Sequence, residues 1–170
     1  MLKKDIVFKM VEDQVKLDNI CWERAKLITP PVRNVKLALY VELGELANEL
    51  NDWKYWKQNK RLNIGNIRGE LADCIHFALS NLYLKKNRDW AAIKDLLDSM
   101  CGALTHIDYS VFSVLDLLEY CYLSMGVDKY DRVLKWLFTI GFLTGMSFDD
   151  VVDCYYEKYE INLERQAKNY

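Results

Sequence analysis

The chain has 170 residues, of which 51% are hydrophobic and 28% are charged, and its formal net charge is -2. This composition excludes intrinsic disorder and predicts one well-buried domain, residues 1–170. The small net charge gives no support to nonspecific binding of a nucleic acid polymer or an acidic membrane, because both require a basic surface.

Helical periodicity runs through almost the whole sequence, and three features divide it. Pro30 and Pro31 interrupt the pattern after the first helix. A polar, glycine-containing stretch, 59–66, separates the second helix from the third, and Ser147 with Asp150 predicts an N-terminal cap for the last one. The predicted helices are 3–27, 33 to the 53–57 region, 67–85, 90–100, 104–125, 130–144 and 148–169. No strand-like alternation persists, which favours an all-α compact helical bundle.

The most informative pattern is two pairs of acids, Glu42 with Glu45 and Glu70 with Asp73. Each pair has the i, i+3 spacing that places both carboxylates on one face of a helix, where like charges repel. Both pairs fall within predicted apolar faces, and buried carboxylates are costly unless they are paired or bind metal. We therefore expect all four to hold hard divalent ions, above all Mg²⁺. Ordinary ion pairs between helices are the alternative.

Histidine content bears on which metal this would be. His76 lies three residues after Asp73, and carboxylate bundles with histidine ligands can hold iron. Di-iron bundles take a Glu-x-x-His from each of two helices. The other histidine, His106, has Ala103 in the acidic position, so the pattern favours magnesium and leaves His76 for a substrate contact or a supporting role.

A basic face on the last helix offers a partner for phosphate. Lys158, Asn162 and Arg165 recur on one side of it. Arginine binds phosphate oxygens as a bidentate fork and lysine as a point charge. A merely solvated polar face is the alternative.

Two further features are suited to a nucleotide. Trp53, Trp56 and Lys57 follow the first acidic pair and could supply an aromatic wall and a phosphate contact, although both tryptophans could equally pack in the core. Gln14 lies on the apolar stripe of the first helix, where its amide could pair with a base edge or cap a backbone group.

The cysteines and the N-terminal sequence indicate the cellular compartment of the protein. Five scattered cysteines without a Cys-x-x-Cys pair favour neither disulfides nor zinc and fit a reducing cytoplasm. The N-terminus lacks the apolar core of a signal peptide, and the most apolar run, 136–146, is too short to span a bilayer. We predict a cytoplasmic protein without membrane contact.

Three blocks of the sequence together resemble the dimeric, all-α dUTP pyrophosphatases (dUTPases) of trypanosomatids, some bacteria and many phages. These enzymes are relatives of the MazG-type nucleotide pyrophosphatases. The blocks are ELGEL at 42–46 with WKYWK at 53–57, ELADCIHFALS at 70–80, and YxxKxxxNxxRQxxxY at 155–170. A weaker match, 14–18, falls where the family has a base-contacting segment. Asn169 stands where the family often has Gly, and Asp18 where some members have Asn.

The resemblance implies hydrolysis of dUTP, and of dUDP, to dUMP by water. Two or more Mg²⁺ ions per site would be held by Glu42, Glu45, Glu70 and Asp73, and we expect Glu45 to orient or deprotonate the water. It also implies a homodimer, in the host cytoplasm if the chain is phage-encoded. The implied substrate-binding residues are Gln14, Asp18, Trp53, Trp56, Lys57, His76, Lys158, Asn162, Arg165 and Tyr170.

Two other functions stay open on sequence grounds. One is a MazG-like pyrophosphatase for another nucleotide, such as dCTP. The other is a noncatalytic helical protein, for example a phage regulatory protein whose acidic cluster only holds a dimer together.

Overall fold

The computed structural model describes residues 3–168. Within that range it contains seven α-helices, one short 3₁₀ turn at Tyr109–Val111 and no strand, which confirms the predicted all-α class. The helices are α1 (Lys3–Arg24), α2 (Val32–Leu50), α3 (Ile64–Lys85), α4 (Trp90–His106), α5 (Val114–Gly126), α6 (Tyr130–Leu143) and α7 (Phe148–Ala167). None of these helices is long and apolar enough to cross a membrane.

The end of α2 differs from the prediction, which carried this helix to the 53–57 region. Asn51 adopts the left-handed conformation with φ 60°, and its backbone N–H donates to the Ala47 carbonyl. Asparagine tolerates this conformation better than most residues and often ends a helix. Trp53 and Trp56 therefore lie on the connection between α2 and α3.

The boundary between α4 and α5 also differs from the prediction, which placed a break between residues 100 and 104. The structure keeps Gly102 helical and ends α4 at His106. α5 begins after Ser113, whose side chain accepts a hydrogen bond from the Asp116 N–H while the Asp116 side chain accepts one from the Ser113 N–H. This reciprocal cap fixes the start of α5. The end of the first helix differs as well: α1 ends at Arg24, three residues before the predicted end at residue 27.

α3 lies at the centre of the fold and packs against α1, α2, α6 and α7. Its core face, with Leu71, Ile75 and Leu79, is fully buried. Where α6 passes α7, a Cβ on Gly141 would lie 2.5 Å from a methyl group of Val151, so the glycine permits this close approach. The packing brings the first acidic pair, on α2, beside the second pair, on α3.

Candidate active site

A cavity of about 470 Å³ opens between α1, α2, α3 and α7. Ten of the residues predicted to form the site line it: Gln14, Asp18, Glu42, Glu45, Glu70, Asp73, His76, Lys158, Asn162 and Arg165. Four more lining residues were not predicted as site residues: Leu17, Cys21, Phe77 and Gln166. Phe77 and Gln166 belong to the blocks that resemble the dUTPases, and this was the signal that could have found them. Leu17 and Cys21 have only the ordinary periodicity of a core face.

Three of the acids converge closely. Glu42, Glu45 and Glu70 can each place one carboxylate oxygen so that all three oxygens lie within 4.8 Å of one another. Glu42 and Glu70 are partly buried, whereas Glu45 is exposed. The i, i+3 spacing thus brings acids from two helices together as predicted.

The cluster is electrostatically strained in the absence of a cation. Burial, together with the negative charges of Asp73, Glu45 and Glu70, raises the pKa of Glu42 to about 7. Burial and the same kind of repulsion also raise the pKa of Glu70. Carboxylates that resist ionisation in this way become stable anions when a cation is bound among them.

Asp73 has a positively charged partner within the chain. The Lys158 ammonium on α7 lies 2.5 Å from Asp73 Oδ2. Burial raises the pKa of Asp73, and the hydrogen bond from Lys158 opposes that rise.

The basic face of α7 points into the cavity as predicted. Lys158, Asn162 and Arg165 all line it, and Arg165 Nη1 donates to Asn162 Oδ1 at 3.4 Å. Ser147 and Asp150 form a reciprocal cap at the start of α7. This cap fixes where the helix begins and hence which face its later turns present to the acids.

A chain of hydrogen bonds leads from the core to the cavity. His76 is buried, its ring stacks on Tyr155 with centroids 4.4 Å apart, and burial lowers its pKa to about 3, so the imidazole is neutral at physiological pH. Nδ1 lies 2.5 Å from Gln14 Oε1, whereas Nε2 lies 3.3 Å from the Tyr155 carbonyl. A neutral ring has one N–H, and the shorter distance assigns it to Nδ1.

This chain ends at Asp18. Gln14 Nε2 donates to Asp18 Oδ1 at 2.8 Å. The second oxygen, Oδ2, is buried and has no hydrogen-bond partner among residues 3–168. Burial raises the pKa of Asp18 to about 6. Asp18 lines the cavity, although Oδ2 itself is enclosed by protein.

The remaining predicted contacts fall outside this cavity or outside the described residues. Trp53 packs edge-on against Trp56 with centroids 5.4 Å apart, and Lys57 Nζ donates to Asn51 Oδ1 at 3.2 Å. Trp53, Trp56 and Lys57 are not among the cavity-lining residues of this chain, so their contact with substrate stays a prediction. Tyr170 lies outside the residues that the structure describes.

The sequence profile of the dUTPase family matches residues 6–170, which is nearly the whole chain. The chain belongs to the dUTPase family. The predicted resemblance is thereby confirmed, together with a dUTP diphosphatase activity that converts dUTP to dUMP. A dUTPase is a hydrolase of nucleotide metabolism, so membership contradicts the noncatalytic alternative. A comparison with curated protein sequences finds no match.

Proposed function

We propose that this dUTPase hydrolyses dUTP, and also dUDP, in a Mg²⁺-dependent reaction within the cavity between α1, α2, α3 and α7, and that it works as a homodimer in the cytoplasm. One observation carries the proposal. Acids from two helices, Glu42, Glu45 and Glu70, converge opposite the cationic face of α7 that includes Lys158 and Arg165. This is the charge arrangement that a metal polyphosphate requires.

The acids fit a hard divalent ion. Oxygens around one Mg²⁺ lie about 2.1 Å from the ion, so two of them are at most about 4.2 Å apart. The oxygens of Glu42, Glu45 and Glu70 lie within 4.8 Å of one another, and small side-chain rotations would close the difference. Asp73 borders the same cavity and is the fourth proposed ligand. When bound, Mg²⁺ would neutralise charge on the phosphate chain.

Glu45 is the proposed general base. It is the exposed member of the three converging acids, so its carboxylate is open to water that enters the cavity. In our proposal it orients the attacking water and accepts its proton.

The cationic face of α7 is proposed to hold the phosphate chain. Arg165 offers a bidentate fork and Lys158 a point charge, while Asn162 supplies a neutral hydrogen-bonding group. Arg165 already bonds to Asn162, which orients the guanidinium within the cavity. Tyr170 is the further phosphate contact implied by the family.

The opposite wall is proposed to read the base. Gln14 Oε1 accepts from His76 and from the Tyr155 hydroxyl, so Gln14 can offer a ligand only an N–H. The Asp18 carboxylate would accept a ligand N–H once a side-chain rotation exposes Oδ2 to the cavity. A pyrimidine ring with both a carbonyl and an imide N–H, as uracil has, matches these two groups. Trp53, Trp56 and Lys57 would complete the pocket from the α2–α3 connection.

The test is product release across a panel of deoxynucleoside triphosphates, with and without Mg²⁺, for the wild type, Glu45→Gln and Glu49→Gln. Glu49 lies on the same helix one turn further on, bonds to Asn66 and is not among the cavity-lining residues. We expect Mg²⁺-dependent release from dUTP that Glu45→Gln reduces by at least about a hundredfold, the lower range for loss of a general base.

Glu49→Gln should keep nearly wild-type turnover, and both variants should keep the wild-type circular dichroism spectrum. Substantial turnover by Glu45→Gln would exclude its role as the base. Full activity of the wild type in a chelator would exclude the proposed metal dependence.

A further inference from the structure

An ion pair reaches across the proposed metal site. Lys158 Nζ lies 2.5 Å from Asp73 Oδ2, and the two side chains are only 21% and 18% exposed. The pair joins α3 to α7 and lies beside Glu42, Glu45 and Glu70 in the same cavity. The three oxygens that lie within 4.8 Å of one another belong to these glutamates, whereas Asp73 contacts Lys158.

The Lys158 ammonium acts on the whole cluster. It opposes the rise of the pKa of Asp73 through a hydrogen bond and its charge, and it opposes the rise of the pKa of Glu42 and of Glu70 through its charge. One internal cation thus offsets part of the repulsion among the acids. The ammonium stabilises the Asp73 carboxylate most, because it contacts this group directly and charge interactions weaken with distance.

A divalent ion bound by Asp73 would compete with this ammonium. Both need the same carboxylate oxygen, and two cations at adjacent positions repel each other. The lysine stem has four flexible carbons, so the ammonium can leave Asp73 without movement of α7.

We propose that the Lys158 ammonium is an internal counter-ion of Asp73 that a divalent ion must displace, so that metal binding at Asp73 and phosphate binding by Lys158 are coupled. The inference rests on the proposed Mg²⁺ site. A first ion binds Glu42, Glu45 and Glu70 with the ion pair intact. An ion at Asp73 requires Lys158 to leave, and a nucleotide phosphate then receives the ammonium.

Coupling of this kind is reciprocal. If a nucleotide draws Lys158 away from Asp73, it must raise the affinity for Mg²⁺ by the same factor by which Mg²⁺ raises the affinity for the nucleotide. Without nucleotide, the ion pair keeps Asp73 from binding metal tightly. The second ion and the substrate therefore enter together.

The experiment is isothermal titration calorimetry with Mg²⁺, without nucleotide, on the wild type, Lys158→Met, Asp73→Asn and the double variant. Lys158→Met should raise Mg²⁺ affinity about fivefold or more, in the usual range of such couplings. In the Asp73→Asn background the same change should have a clearly smaller effect, because the carboxylate for which the two cations compete is gone and only the effect of the Lys158 charge on the glutamates remains. The double-mutant cycle separates displacement at Asp73 from a general loss of positive charge.

Lys36→Met is the matched control. Lys36 forms an ion pair of similar length, 2.6 Å to Asp128, and lines a different cavity. The Lys36→Met variant should bind Mg²⁺ with the same affinity as the wild type. Lys158→Gln provides a second charge-removing variant, and circular dichroism establishes that each variant is folded.

A nonhydrolysable α,β-imido-dUTP provides a second readout. It should raise Mg²⁺ affinity in the wild type and raise it less in Lys158→Met. Equal Mg²⁺ affinity in the wild type and both Lys158 variants would overturn the displacement. So would a Lys158→Met substitution that raises Mg²⁺ affinity by the same factor in the wild-type and the Asp73→Asn backgrounds. A wild type that binds no Mg²⁺ at all would overturn the proposed metal site as well.

Discussion

At the scale of single residues, Asp18 is the most unusual group in the cavity. One carboxylate oxygen is held by Gln14, while the other is buried without a partner among the described residues. Burial raises its pKa from 3.8 to about 6. An acid whose pKa is raised on folding binds its proton more tightly in the native state, so its ionisation costs stability at higher pH.

Asp18→Asn should therefore stabilise the protein at pH 8, where the native carboxylate is charged. A shift of this size corresponds to about 3 kcal/mol, and the amide N–H that replaces Oδ2 offsets part of the gain because it too lacks a partner. We expect the free energy of unfolding to rise by roughly 1–3 kcal/mol at pH 8. Urea unfolding at several pH values measures it.

The gain should decline as the pH falls from 6 to 4 and vanish below 3.8, where Asp18 is protonated in both the native and the unfolded chain. Asp153→Asn, on the exposed side of α7, is the control and should leave stability unchanged across this range. A gain from Asp18→Asn that is the same at pH 4 and pH 8 would contradict the assigned cause.

At the scale of helices, Gly141 sets the approach of α6 to α7. A Cβ at this position would lie 2.5 Å from Val151 Cγ2 and 3.4 Å from Leu71 Cδ2. Gly141→Ala should destabilise the protein by about 1–3 kcal/mol, because overpacking in a core forces side chains or helices apart. Chemical denaturation followed by circular dichroism measures the loss.

Gly102→Ala, in the interior of α4, is the matched comparison. A Cβ there meets nothing within 4 Å, so the better helix propensity of alanine should raise stability by about 0.5–1 kcal/mol. If both variants changed stability in the same direction, the contact between α6 and α7 would not be the cause.

The helices also show which parts of the fold a sequence can predict. Proline at 30 and 31 and the Ser147–Asp150 cap are local chemical signals, and the neighbouring helix starts lie where they were predicted. The end of α2 depends on one left-handed residue, Asn51, whose side chain does not by itself specify that conformation. The predicted break between residues 100 and 104 was wrong, because burial of Met100, Cys101 and Leu104 on one face keeps α4 continuous through Gly102.

At the scale of the molecule, the convergence of three acids was predictable from the sequence and part of the cavity wall was not. The position of both acidic pairs on predicted apolar faces favoured a meeting of Glu42 and Glu70, because buried carboxylates need a shared cation or an ion-pair partner. Leu17 and Cys21 line the cavity as ordinary core residues of α1, so only the packing of α1 on α3 and α7 reveals them.

The predicted homodimer needs an apolar surface, and α2 and α5 offer one. Leu37 is 63% exposed and Val41 50% exposed on α2, and Leu115 is 41% exposed on α5. The rings of Tyr40 and Tyr122 stack between these helices with centroids 6.2 Å apart. Exposed apolar groups on helices that contact each other are typical of interaction surfaces.

We expect Leu37→Asp to convert the dimer to a monomer, because a charge buried in an apolar interface has no partner. Light scattering coupled to gel filtration measures the mass. Val111→Asp, which alters a residue 69% exposed on the 3₁₀ turn, should remain dimeric. A monomeric wild type, or a dimeric Leu37→Asp, would contradict this assignment.

The central position of α3 has a consequence for how the enzyme fails on heating. Glu70, Asp73 and His76 belong to the helix that packs against four others, whereas α4 and α5 each pack mainly against two helices within the described chain. Fraying of those outer helices leaves the acids where they are, because local opening affects the least packed elements first. Heat inactivation should thus coincide with the loss of global helicity and show no earlier step.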